Sequence, residues 1–134
     1  MEALYLFNPE NDMALACGDP YYMAPASARR MAAELSVLPA WYAEQGGTGW
    51  LDSALRMKTM ESQSFLPPAV NGTSEFLPIN NKVFPWGWNP SLVRRLQEAG
   101  FPDTAYPSVE RMKRIRQISG RQTAVKVLRR LCRH

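Results

Sequence analysis

The chain has 134 residues, 46% of them hydrophobic and 21% charged, with sixteen Lys or Arg against twelve Asp or Glu. That length suits one compact domain of ~100–150 residues, able to bury roughly two-thirds of its unfolded surface without a metal or disulfide staple. The composition excludes wholesale disorder, and apolar runs of only a few residues exclude a membrane helix, which needs ~20.

The start, Met1 to Phe7, lacks the basic and long apolar regions of a signal peptide. Cys17 and Cys132 lie far apart in no metal-ligand spacing, so a reduced, cytoplasmic protein is the simplest expectation. Charge is unevenly distributed. Residues 111–134 hold nine basic groups (Arg111, Lys113, Arg114, Arg116, Arg121, Lys126, Arg129, Arg130, Arg133) and no acidic ones. Residues 1–110 hold the remaining seven basic groups against twelve acidic, a net of −5.

In chain order, Ala3-Leu4-Tyr5-Leu6-Phe7 reads as a buried first strand stopped by Asn8-Pro9. A polar loop, Asn8 to Asp12, leads to a single helical turn over Met13–Ala16, which Gly18-Asp19-Pro20 breaks. A helix fits Pro25 to Leu35, with Ala28, Met31, Ala32 and Leu35 at helical spacing. Gly46-Gly47-Thr48-Gly49 reads as a loop, and Leu51 to Met60 as a helix with Leu51, Ala54 and Leu55 inward. Between 61 and 82, prolines and the Asn71-Gly72 turn signal interrupt short apolar pieces.

Lys82 to Trp86 reads as a further strand. The best-marked helix follows: Asn89 is its N-cap, Pro90 its N1 residue, Leu92, Val93 and Leu96 its apolar stripe, and Gly100 its C′ residue. Ser108 caps a helix carrying Val109, Met112, Ile115 and Ile118. Ser119-Gly120-Arg121-Gln122 has the form of a capping box, opening a last helix with Val125, Leu128 and Cys132 on one stripe. Strands alternating with helices predict an α/β fold, a small layered sheet flanked by helices over residues 1–107, with a basic helical extension over 108–134.

Two constellations carry the chemistry. Asn8, Glu10, Asn11 and Asp12 place amides and carboxylates at the end of the first strand, where ligands of open α/β sheets collect. The same residue types also make an ordinary solvated turn. Trp86-Gly87-Trp88-Asn89 puts two indoles beside a helix N-terminus, either as a wall for an anion or as packing. Arg29 and Arg30 are either partners for a phosphate or carboxylate, for Glu10 or Asp12, or plain surface charges. Walker-type and dinucleotide-type glycine loops are absent, and the single histidine, His134, excludes a histidine-based triad. Cys17, with no histidine partner, is expected to be a small buried thiol.

The stretch Leu6 to Ala16 resembles the opening of a family of bacterial ATP-grasp-like proteins of Bacteroides-type genomes, whose motif is Phe-Asn-Pro-Glu-(His/Asn)-Asp-(Ile/Leu)-Ala-Leu-Ala. The resemblance continues through Pro25–Arg30, Leu38–Trp41, Pro85–Asn89 and Ser119–Arg121, leaving residues 44–82 unmatched. It implies a pre-ATP-grasp, Rossmann-like α/β domain that binds substrate, with ATP and Mg held by a domain beyond residue 134. The implied reaction joins a carboxylate to an amine through an acyl-phosphate. Asn11, where many relatives carry His, argues against a base at that position.

The leading expectation is therefore a substrate-side domain of an ATP-grasp-like ligase, not catalytic alone. Asn8, Glu10, Asn11, Asp12 and Asn89 orient a small polar or anionic substrate, Arg29 or Arg30 neutralises its acid, and Trp86 and Trp88 wall it. No cofactor is expected in this segment. Nucleic-acid binding by the basic helices is disfavoured, because the helices lack stacking aromatics and the acidic body repels polyanions. A third alternative is an interaction domain whose helical end docks on a partner, including a second copy.

Overall fold

The computed structural model describes residues 3–44, 47–50, 71–73, 75, 76, 78 and 82–133. Four short strands, β1 (Ala3–Leu6), β2 (Thr48–Trp50), β3 (Asn71–Thr73) and β4 (Lys82–Pro85), form one sheet in the order β3-β2-β1-β4. All three pairings are parallel. β1 is interior to the sheet, which is why it is an unbroken apolar run: buried parallel strands show no polar alternation. Its register places Leu4 opposite Thr48 on one side and Val83 on the other.

Alternation along β1 and β4 separates two faces. Leu4, Leu6 and Val83 belong to one cluster with Leu92, Leu96, Phe101 and Ala105. Tyr5, Phe7, Phe84 and Trp86 share ring contacts instead. Tyr5 stacks on Phe84 at 5.3 Å between centroids, Phe7 meets Trp86 edge-on at 5.5 Å, and Tyr42 packs edge-on against Tyr5. This aromatic face is open at its rim, with Phe84 and Trp86 both exposed.

Five helices are described: α1 (Asn11–Cys17), α2 (Ala26–Glu34), α3 (Pro90–Glu98), α4 (Val109–Ser119) and α5 (Arg121–Leu131). None of the helices among the described residues is long and apolar enough to cross a membrane. α3 forms as its sequence dictates. Asn89 caps it by accepting from the Leu92 N–H at 2.9 Å, and Pro90 sits at N1. At the other end Gly100 takes φ +85°, the Gly100 N–H donates to Gln97 and the Phe101 N–H to Leu96, a Schellman closure. Phe101, just past the turn, packs in the same cluster as Leu96.

Several expectations are corrected. Thr48 and Gly49, read as loop, are strand β2, and Asn71-Gly72, read as a turn, begins strand β3. Pairing with neighbouring strands overrides the local preference of glycine and asparagine. The single turn at Met13–Ala16 is a seven-residue helix that absorbs Asn11 and Asp12, ended by Gly18 at φ +72°. Ser119 closes α4 rather than capping α5, whose N-cap is Gly120 with no side-chain bond. The stripes of Met31 and Leu35, of Val109 and Ile118, and of Val125 and Leu128 are exposed, because α2 and α5 bury no residue and α4 only Met112. Cys132, on the last of these stripes, and Cys17, expected as a buried thiol, are exposed as well. Cys17 lies off the Asn11, Ala14, Leu15 stripe by which α1 faces the protein. The helix expected over Leu51–Met60 lies outside the described residues.

One cation ties the helical extension to the body. Arg116 of α4 donates to the Ala16 carbonyl at 2.6 Å, at the C-terminal end of α1, where a positive charge is favourable. Its guanidinium also lies against Gly18, where any side chain would meet it.

The burial pattern makes a clear contrast in stability. Leu96 is fully buried, so Leu96→Ala is expected to cost about 2–5 kcal/mol in urea unfolding. Leu128 on α5 is 58% exposed, and Leu128→Ala is expected to stay within about 0.5 kcal/mol.

Candidate functional site

The chain leaves β1 toward β2 on one side and returns to β4 on the other, so consecutive connections diverge at the β1–β4 junction. In parallel α/β sheets the crevice outside the carboxyl ends at such a reversal is where ligands sit. Here those ends are Phe7-Asn8-Pro9-Glu10 after β1 and Trp86-Gly87-Trp88-Asn89 after β4. Ladder bonding runs one step past the strands, with the Trp86 N–H donating to the Leu6 carbonyl at 2.8 Å.

Side-chain amides continue the joint. Asn8 Nδ2 donates to the Gly87 carbonyl at 2.8 Å, and the Gly87 N–H donates to Asn8 Oδ1 at 3.2 Å. Asn89 Nδ2 donates to Asn11 Oδ1 at 3.0 Å while Asn89 Oδ1 caps α3. All three asparagines are buried. Gly87 is required because the Asn11 amide lies where a Cβ would project.

A cleft of about 420 Å³ opens beside this joint, lined by Asn8, Glu10, Arg29 and Asn89 among others. Four of the nine site residues expected from sequence therefore converge there. Asn11 lies behind, bonded to Asn89. Asp12 is exposed in the first turn of α1 and lines a separate groove with Arg116 and Arg121. Arg30 is exposed and does not line the cleft. Trp86 packs on Phe7, while Trp88 packs partly buried against the core cluster, so neither indole forms the wall. Trp50, at the end of β2, lines the cleft instead, together with Tyr21 and Tyr22.

The cleft is rich in arginine. Arg94 is committed elsewhere: its Nε donates to the Pro20 carbonyl at 2.9 Å, its Nη1 pairs with Glu98 at 2.6 Å, and its guanidinium covers the Tyr21 ring. It thereby fixes the Pro20–Tyr22 segment to α3, helped by Ser91 Oγ donating to the Tyr22 carbonyl. Arg95 holds its guanidinium over the Phe76 ring, 4.7 Å from the centroid. Although the residue as a whole is exposed, crowding around its charged end lowers its pKa; Glu10 opposes that shift and Arg94 adds to it. Arg95 remains a cation at neutral pH. Arg29 is exposed, and its side chain makes no hydrogen bond or ion pair among the described residues.

Glu10 is the exception in the cleft. It occupies the N-cap position of α1, yet its side chain caps nothing. Its Oε2 is shut off from solvent without a hydrogen-bond partner, the one such side-chain atom among the described residues. No group of three or more His, Cys, Asp or Glu that could hold a metal comes together among the described residues. Arg95, Trp50 and the two tyrosines escaped the sequence reading. Arg95 sits beside the Leu92–Leu96 stripe and reads as ordinary helix surface, and Trp50 follows a glycine-rich stretch.

No family model, curated protein or solved structure matches this chain.

The amide joint is testable through Asn8→Asp. The substitution removes the donor to Gly87 and sets a carboxylate against a carbonyl, so a loss of about 1–3 kcal/mol is expected at neutral pH. The fold favours the protonated form of the introduced carboxyl, which can again donate. Its folded-state pKa is therefore raised, and urea unfolding should show stability recovering as pH falls through that value.

Proposed function

We propose that this chain is a Rossmann-like, pre-ATP-grasp substrate-binding domain of an ATP-grasp-like carboxylate–amine ligase, not catalytic alone. One observation supports the reading most. The two segments that carry the resemblance most fully, Leu6–Ala16 and Pro85–Asn89, are bonded to each other at the sheet reversal, beside a cleft that also takes Arg29 from the third. The strand order β3-β2-β1-β4 is that of the first half of a doubly wound sheet with its switch point at β1 and β4.

In this reading Arg29 and Arg95 receive the acid group of a small anionic substrate, with Trp50 and the tyrosines against its body. Arg94 acts indirectly by holding the Pro20–Tyr22 segment. The reaction's Mg does not fit this cleft, because one carboxylate among arginines is a poor donor set for a hydrated cation, which takes oxygen ligands, and its ATP travels with that metal. The reading assigns them to a further domain of the same polypeptide.

Nuclear magnetic resonance titration with succinate and with inorganic phosphate provides the test. Shift changes confined to the cleft are expected, weakening at least tenfold in Arg29→Ala/Arg95→Ala. MgATP is expected to bind weakly or not at all, and tight binding of MgATP would overturn the division of labour. The basic groove between α4 and α5, lined by Lys113, Arg114, Arg121 and Lys126, favours one second reading, nucleic-acid binding. Absence of a salt-sensitive mobility shift with mixed DNA and RNA removes it.

A further inference from the structure

We infer that the cleft takes a zwitterionic small molecule, with an ammonium group against Glu10 and an acid group against Arg29 or Arg95. The inference rests on the cleft being a substrate site and adds the chemical class of the ligand.

Three observations meet in Glu10. Its Oε2 is closed to solvent and unpartnered, a costly arrangement for a carboxylate unless something completes it. Its N-cap position offers the backbone N–H groups of α1, and it uses none of them. One candidate cation of the cleft, Arg95, feels the charge of Glu10, yet the two form no ion pair. Arg95 is held over Phe76 instead. Opposite charges thus line one cleft without pairing with each other.

A ligand bearing only an acid would satisfy the arginines and leave Glu10 facing a second negative charge. A ligand bearing only an amine would satisfy Glu10 and leave Arg29 and Arg95 unanswered. A molecule with both answers each charge, and because Glu10 is only partly buried, a compact, three-donor ammonium can approach its carboxylate from the cleft. The volume of about 420 Å³ lies toward the small end of the ~300–1,000 Å³ of ligand pockets, fitting an amino acid or a comparably small zwitterion.

Saturation-transfer resonance experiments on the full 134-residue chain decide the matter, using the twenty common amino acids, their N-acetyl derivatives and the corresponding decarboxylated amines. At least one amino acid is expected to bind, with N-acetylation and decarboxylation each weakening it at least tenfold. Glu10→Gln should weaken that amino acid tenfold or more while leaving its N-acetyl derivative unchanged, and its thermal midpoint should match or exceed that of the parent. Arg29→Gln, at an exposed position whose side chain makes no hydrogen bond or ion pair among the described residues, should weaken the amino acid while leaving the decarboxylated amine unchanged. N-acetyl derivatives binding as well as free amino acids would overturn the ammonium site and leave the anionic substrate reading standing. Decarboxylated amines binding as well would overturn the acid side of the pair. Failure of the whole panel to bind would overturn both the zwitterion and the cleft as a substrate site.

Discussion

The paired hydrogen bonds between the Asn8 side chain and the Gly87 backbone hold together everything that makes this sheet a candidate binding domain. Beyond Leu6 and Trp86 the backbone ladder stops, and the two strands would otherwise part into independent loops. A side-chain amide carries one donor and one acceptor in the same plane, so Asn8 reproduces what another strand residue would offer Gly87. The second amide pair, Asn11 with Asn89, sits behind it and occupies the space that a side chain at position 87 would need. Because Asn89 also caps α3, the joint sets the start of that helix, and with it the positions of Arg94 and Arg95.

This geometry divides the polar residues of the two loops into distinct tasks. The asparagines are buried, mutually bonded and structural. Glu10, in the midst of them, is left out of the network. A joint that satisfies three buried amides and leaves one carboxylate oxygen beside them unpartnered concentrates its unmet polar demand at one point of the cleft. Arg94 shows the opposite treatment, with its guanidinium bound to a carbonyl, a carboxylate and a ring. The contrast between committed and uncommitted charges, more than the number of charges, gives the cleft its binding character.

The basic extension also looks different in three dimensions. Its nine basic groups raised nucleic-acid binding, and its helical end docking on a partner, as readings. α4 buries only Met112 and α5 buries nothing, so the apolar stripes of the two helices are open beside their cations. Arg116 bonds the extension to the end of α1, and Met112 is its buried residue. The aromatic face of Tyr5, Phe7, Phe84 and Trp86 is a second surface of mixed burial, at the β4 end of the described sheet.

Sequence alone determined what local chemistry controls. The central strand was legible as a continuous apolar run, and α3 was legible from cap to cap because Asn89, Pro90 and Gly100 act on groups within a few residues of themselves. The uneven charge was legible by counting, and the polar loop after β1 stood out by its position. Tertiary structure decided the rest. β2 and β3 are built from residues that prefer turns, and only parallel neighbours make them strands. Asn8 and Glu10 are equally polar on paper; one is bonded 79 residues away and the other is left unpartnered. Arg29, Trp50 and Arg95 come from three separate elements, and nothing in their spacing foretells a shared cleft. A hydrogen bond's worth depends on where its partner lies and whether water is excluded, and both are properties of the packed sheet that no local window of residues contains.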